Sequence, residues 1–392
     1  MSHNVVAWPD NRKFTYLKEN NQMGLSFIVK RTPPPPPPWT LKKDLYTDGS
    51  QVIDQIRSSC FNSTDGTLFV GTGLTYAQIW RSSDGGNTWT EVEDLTSFPS
   101  HNQTRVTSLL HDSTSNVMIA GCGSTASIFR STDGGDTWSW IQDLPNQFYV
   151  DSLIYDSVNN TFVAGCEGDD VYYSTDAGLT WNFGQDLAGE VLSLGFDPSR
   201  GRLFAGVSAA GTRIYTSDDG GDVWTQRVSF NNWGPGGPGT GTSLTEPIRV
   251  HGMVYDPVYD VIITAQGSNA GGAQIHTSKD GGITWGNTLY FPSVSGVPGP
   301  QWAHAITYNA DIGRTYVAFD NLFGGWGNIE IWYSDDGGDN WTLDQDFGID
   351  PGGSADVGNA FSMAYDSTNN RQIVTFGYNA GSPGGTIWSR GN

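Results

Sequence analysis

Three arginines, two carboxylates, a tyrosine and two histidines stand at matching places in a set of short, strand-like runs. Seven such runs centre on residues 56–61, 106–111, 150–155, 191–196, 250–255, 303–308 and 360–365. Most close on an aromatic residue followed by Asp or Asn, as in Tyr155-Asp156 and Tyr308-Asn309. Aligned on that pair, they give an outer layer of Gln55, Arg105, Tyr149, Glu190, Arg249, Trp302 and Asn359. The next layer is Arg57, Thr107, Asp151, Leu192, His251, His304 and Phe361. If the runs pack side by side around an axis, these residues converge on one funnel. Arg57, Arg105 and Arg249 could then grip a carboxylate, because a guanidinium offers paired N–H donors in one plane. Asp151 and Glu190 could serve as a general acid and base. His251 and His304 are equivalent in adjacent runs but have no third convergent ligand. Glu167-Gly168-Asp169-Asp170 lacks a spaced ligand pattern. Neither a metal nor a cofactor is expected.

The elements that must position these groups are β-hairpins. An octapeptide, Ser-x-Asp-x-Gly-x-Thr-Trp, recurs at 82–89, 131–138, 174–181, 217–224, 278–285 and 334–341. Val223 and Asn340 replace the Thr, and Ala177 replaces a glycine that the other copies carry before the invariant one. Each copy follows an alternating apolar run such as Arg213-Ile214-Tyr215-Thr216, which places it in a hairpin turn. Asp84, Asp133, Asp176, Asp219, Asp280 and Asp336 can accept from backbone N–H groups two residues on, and the Gly supplies positive φ without a Cβ penalty. The closing Trp is the first large apolar group of the next strand, free to pack on a neighbouring unit.

The octapeptide resembles the Asp-box, or bacterial neuraminidase repeat. The resemblance implies an all-β fold, a β-propeller, as in sialidases, xyloglucan-cleaving glycosidases, sortilin-type receptors, a photosystem assembly factor and various phage and bacterial surface proteins. It implies no single activity, because the repeat builds the scaffold and function lies elsewhere on it. Spacings of about 40 to 50 residues suit four-stranded blades. Seven blades are expected. Trp39-Thr40-Leu41-Lys42-Lys43-Asp44-Leu45 looks like the segment after each octapeptide, such as Trp89 to Leu95, but has no blade of its own. The last blade stops after Thr386-Ile387-Trp388-Ser389-Arg390, one strand short. The N-terminal strand should complete it and close the ring, which would also remove exposed sheet edges.

The propeller is assigned to residues 39–392, a stiff polyproline linker to 33–38 and an anchoring arm to 1–32. Six prolines would form a rod of roughly 19 Å at about 3.1 Å per residue. A net charge of −21, with no cluster of Lys and Arg, argues against nucleic acid. No apolar run approaches the roughly 20 residues that span a bilayer, so membrane insertion is not expected. Three cysteines, Cys60, Cys122 and Cys166, are too few and too odd for a disulfide framework. The N-terminus lacks the basic and apolar segments of a secretory signal, which points to a virion or other exterior assembly reached by another route, or to the cytoplasm.

Long connections fall on one rim, opposite the octapeptides, and carry aromatics including Phe230, Trp233, Tyr290, Phe291, Trp302, Phe323, Trp326 and Tyr378. Loops on a rigid frame are where binding tends to sit. The expected function is a non-enzymatic binding or structural module of a larger assembly, a phage tail, fibre or capsid-surface protein. It would hold a host-surface glycan or protein on the long-loop face, dock an assembly partner through residues 1–38, and is open to homo-oligomerisation. Arg57, Arg105, Arg249, His251, His304, Trp302, Trp233 and Trp326 are the expected ligand contacts. The alternative is a sialidase-like glycoside hydrolase. On that resemblance the arginines bind an acidic sugar while Asp151, Glu190 and Tyr149 do the chemistry. Against it, the Phe-Arg-Ile-Pro signature of sialidases is absent, and Arg57 sits in Gln55-Ile56-Arg57-Ser58. An intracellular assembly factor is a third class.

Overall fold

The computed structural model describes residues 38–45, 55–99, 101–209, 211–230, 233–234, 237–238, 249–267, 272–291, 302–321, 328–347, 359–377 and 385–391. The expected arm, the first five of the six linker prolines, Trp326, Phe323 and Tyr378 lie outside these residues, as does much of each long insertion in the second half of the chain. Trp233 pairs through its backbone with Pro238.

Within the compact unit Pro38–Asn392, the described residues are strands, turns and one three-residue 3-10 segment, Leu95–Ser97. The long strands pair into seven antiparallel four-stranded blades. Blades 1 to 7 begin with Gln55–Asn62, Arg105–Asp112, Val150–Asp156, Glu190–Asp197, Arg249–Asp256, Trp302–Asn309 and Asn359–Asp366. These first strands lie side by side in order, and that of blade 7 lies against that of blade 1. The fourth strand of blade 7 is Thr40–Asp44, which pairs with Thr386–Gly391 in the register Thr40 to Ser389 and Asp44 to Thr386.

The octapeptide turns share a set of hydrogen bonds, complete in the first copy; the third lacks the tryptophan bond, with Trp181 Nε1 unpartnered, and Val223 of the fourth has no hydroxyl to donate. Ser82 Oγ donates to Asp84 Oδ1 at 2.9 Å and accepts from the Gly86 N–H at 2.8 Å. Asp84 accepts from the Thr88 N–H at 2.8 Å and the Thr88 hydroxyl at 2.7 Å. The carboxylate therefore reaches four residues on, not two, because the two glycines at φ 69° and 83° fold the turn back over it. Trp89 Nε1 closes the motif by donating to Gly86 O at 3.0 Å. The Trp precedes the fourth strand rather than opening it, and its ring is buried at the seam between blades 7 and 1 with Leu68 and Ile373.

In Asp84, Asp133, Asp176, Asp280 and Asp336, slight desolvation favours the neutral acid, but the combined hydrogen bonds of the turn outweigh it and hold the carboxyl below its usual range. A folded-state pKa depressed below the unfolded value of about 3.9 contributes stability that is present above that value and lost as pH falls through the folded one. We therefore expect the thermal midpoint to fall steadily below about pH 4, and the loss to shrink when several of the five are changed to Asn. Melting curves from pH 6 to 2 check this.

Six of the seven seams follow a size rule; at the seventh, between blades 7 and 1, Thr375 faces Ser362 and its hydroxyl donates to Ile56 O. Just inside the first strand of blades 1 to 4 stand Ser58, Ser108, Ser152 and Ser193, opposite Gly71, Gly121, Gly165 and Gly206 of the second strand. The next blade presents Val106, Val150, Val191 or Val250 to the same glycine, and a Cβ on Gly121 would lie 2.4 Å from Ser108 Oγ and 2.6 Å from Val150 Cγ1. The serine hydroxyls donate across the seam to the carbonyls of Val106, Val150 and Val250 at 2.9, 2.8 and 2.9 Å, and to that of Val191 at 3.5 Å. In blades 5 and 6 the facing pairs are Gly252 with Ala265 and Ala305 with Ala318. There the next first strand carries Ala303 or Ala360 in place of Val. Added volume on one side is matched by removed volume on the other, as a close-packed interface requires.

The seam between blades 6 and 7 has a further device. Ile387, Trp388, Ser389 and Arg390 hold the register that Ile79, Trp80, Arg81 and Ser82 hold in blade 1, so Arg390 occupies the place of an octapeptide serine. Trp39, with no octapeptide before it, turns its Nε1 to Asp344 Oδ2 of blade 6 at 3.1 Å. Arg390 also pairs with Asp344, donates to Tyr316 Oη at 2.9 Å, and lies 5.1 Å from the Trp39 ring. Both charged side chains of this pair are only 2% exposed.

Candidate functional site

Each of the seven first strands carries a register shift at the same point. The shifts fall at 56/58, 106/108, 150/152, 191/193, 250/252, 303/305 and 360/362. A bulge leaves one residue out of the ladder and re-aims it. The residues so released are Arg57, Thr107, Asp151, Leu192, His251, His304 and Phe361, one per blade. All seven line a cavity of about 250 Å³ on one side of them and another of about 200 Å³ on the other. They form a collar across the central channel.

The larger cavity is the mouth, and Arg105, Tyr149, Glu167, Glu190 and Arg249 complete its wall. The outer layer thus divides: Arg105, Tyr149, Glu190 and Arg249 face the mouth, whereas Gln55, Trp302 and Asn359 do not line it. Trp302 instead stacks on His304, with centroids 5.6 Å apart, and meets His251 edge-on at 5.2 Å. Phe230, expected among the exposed loop aromatics, is buried against His276 at 4.7 Å and Trp285 at 6.2 Å, because the first residue after the fourth strand of blade 4 turns inward.

Charge is distributed unevenly around the collar. Arg57 lies 4.9 Å from the centre of the Phe361 ring, and Arg105 lies 4.9 Å from that of Tyr149. Nε of both arginines is buried without a hydrogen-bond partner. Burial, with Arg105 nearby, lowers the Arg57 guanidinium to about 10. Asp151 faces Glu167 and Glu190, and its Oδ2 is likewise buried and unpartnered. Burial first and those two carboxylates second push it up to about 7, against the pull of Arg57 and Arg105. Burial and Glu190 also raise Glu167. Glu190 is 3.6 Å from Arg249 Nη1, a half-exposed pair.

The third sector is aromatic and neutral. The His251 and His304 rings lie 4.4 Å apart. Burial, then His304 and Arg249, hold His251 well below its ordinary value; burial and then Arg57 and Arg249 lower His304 to about 3. Behind His304, Asp320 Oδ2 stands at 3.3 Å, and burial keeps that carboxyl protonated well above the usual range. Among the described residues no group of three or more His, Cys, Asp or Glu is placed to hold a metal. No described helix is long and apolar enough to cross a membrane.

Two participants escape a reading of first strands alone. Glu167 follows a second strand, Thr161–Cys166, and its only signal is its place in the acidic run Glu167-Gly168-Asp169-Asp170. Asp320 is the penultimate residue of a second strand, Arg314–Asn321, and is invisible until the pairing with Trp302 places it beside the histidines.

The BNR/Asp-box repeat family matches residues 172–183. No curated protein sequence matches the chain. Among solved structures, a GH74 enzyme of Niastella koreensis is similar over 86% of this chain with a TM-score of 0.62 and 20% identity. The chain spans 52% of that enzyme's length. YCF48 from Cyanidioschyzon merolae is similar over 90% of this chain and 98% of its own, with a TM-score of 0.57 and 16% identity. A YCF48 structure bound to a D1 peptide covers 87% of this chain and 93% of its own, with a TM-score of 0.56 and 19% identity. At these identities the likeness speaks to fold. The chain therefore has the β-propeller fold and carries a BNR/Asp-box repeat.

Proposed function

We propose that this propeller is a non-enzymatic binding module of a larger assembly, a phage tail, fibre or capsid-surface component. It takes a charged group of a host-surface glycan or protein into the channel mouth. The observation that carries this reading is the set of buried polar atoms without hydrogen-bond partners at that mouth, Arg57 Nε, Arg105 Nε, Asp151 Oδ2, His251 Nε2 and His304 Nε2. Such atoms cost free energy unless something outside the chain meets them. The peptide held by one structurally similar protein supports the use of this fold for binding. Residues 1–38 would dock the assembly partner, outside a cell or on a particle.

The test is binding of the full chain to a glycan array and to host cell envelopes. Arg57→Gln and Arg105→Gln should each weaken the captured ligand by about 10-fold or more, the cost of a lost charge-assisted hydrogen bond. Undiminished binding by both variants would remove the mouth from the reading. Loss of incorporation into particles on deleting residues 1–38, with the ring still folded, would support the assembly role.

One observation favours a second reading, hydrolysis of an acidic glycoside. Asp151 keeps its proton to about pH 7, as a general acid needs. Glu190 and Tyr149 would then complete the chemistry. Turnover of a fluorogenic sialoside or polysaccharide that vanishes in Glu190→Gln would establish it over simple binding.

A further inference from the structure

The mouth contains two crowds of like charge that do not neutralise each other by contact. Arg57 and Arg105 stand together from blades 1 and 2, each with Nε buried and unpartnered. Asp151, Glu167 and Glu190 stand together from blades 3 and 4. The ion pair given by this cluster, Glu190 with Arg249, lies at the half-exposed edge, leaving the inner groups unmatched. A ligand bearing one negative charge would relieve the arginines and add to the load on the carboxylates. One bearing a positive charge would do the reverse. We infer that the mouth recognises a zwitterionic group, a carboxylate and an ammonium on one small ligand, with the carboxylate on Arg57 and Arg105 and the ammonium on Asp151, Glu167 and Glu190.

The site suits such a group in other respects. Its volume of about 250 Å³ is that of a single sugar or amino-acid unit, not of a chain. The neutral wall of His251, His304 and Phe361 completes the collar without adding charge, so both ends of the ligand are read by the opposite sector. Burial is the first cause of the shifted titrations of Arg57 and Asp151, and the like charges beside each add to it.

This inference rests on the mouth being the binding site, and the experiment separates the two claims. Calorimetric titration of the full chain at pH 7 and low salt, where exposed charges are least screened, uses two sets of probes. The sugar set is the methyl glycoside of N-acetylneuraminic acid (carboxylate only), its de-N-acetylated form (both charges) and glucosamine (ammonium only). The amino-acid set is butyrate, γ-aminobutyrate and butylamine, and whichever set binds names the source of the group. The probe with both charges should bind about 10-fold or more tighter than either partner in its set. Asp151→Asn should erase that preference while leaving the carboxylate probe bound, and Arg57→Gln should weaken both acids. Equal binding of the two acids by the natural chain would overturn the zwitterion inference and leave the mouth as an anion site. Binding that persists undiminished in Arg57→Gln would overturn the mouth itself. Each variant's melting curve confirms that it is folded, and Glu190→Gln repeats the Asp151 test should Asp151→Asn fail to fold.

Discussion

Replacing Arg390 by alanine should destabilise the ring by about 3–5 kcal/mol, the usual cost of removing one member of a buried ion pair. The loss would leave Asp344 charged, 2% exposed and held by the Trp39 indole N–H alone. Tyr316 would lose its donor as well. The effect lies in the uncompensated charge, not in the net worth of the pair. The double change Arg390→Met with Asp344→Leu should therefore recover most of the loss. Chemical denaturation of the three proteins checks this, and a double variant as unstable as the single one would mean that the ion pair itself holds the seam.

Gly121→Ala should cost about 1–3 kcal/mol or somewhat more, from overpacking a seam that has no room. The new methyl would meet Ser108 Oγ at 2.4 Å and Val150 Cγ1 at 2.6 Å, and both neighbours are fixed in the blade-to-blade contact. The φ of Gly121 is not in the left-handed region. An alanine at an unstrained site ordinarily gains a few tenths of a kcal/mol by restricting the unfolded chain, so a loss here reports the collision. Blades 5 and 6 supply the remedy in their own sequence, where Ala265 and Ala318 face Ala303 and Ala360. Adding Val150→Ala to Gly121→Ala should recover part of the loss, and a double-mutant cycle measures the coupling directly. Additive effects would mean that the match of sizes around the ring is incidental.

Much of the scaffold can be read from local chemistry. The octapeptide turns need only Ser, Asp, Gly and Trp at fixed spacing, because every bond in them spans four residues or fewer. The strands are legible in the alternation, and the orphan segment at Trp39 is visible because it copies the stretch after each octapeptide. The collar is harder. Aligning the first strands puts Arg57 and its six counterparts in one layer toward the axis, but a period of two puts Gln55 on the same face and does not reveal that the ladder skips Arg57. That skip depends on the serine or small residue behind it and on the carbonyl of the next blade, contacts that are 42 to 57 residues away where Ser108 and Ser193 make them. Glu167 enters just after a second strand and Asp320 from within one, so no alignment of first strands could find them. Arg390 reads as an ordinary strand residue until its register shows that it fills a serine's place. The two-residue reach expected of the octapeptide Asp fails for a related reason: with two glycines at positive φ the turn is tighter than sequence distance suggests.

The pairing of Thr40–Asp44 with Thr386–Gly391 also governs how the ring would answer to force. Thr40 stands opposite Ser389, so the first and last residues of the ring leave the same end of one antiparallel ladder. A pull between them opens that ladder like a zip, breaking one rung after another, whereas a pull along the strand would load all the rungs at once. Trp39 and Arg390 sit at the end where such peeling begins, and their shared hold on Asp344 is the first thing it has to break.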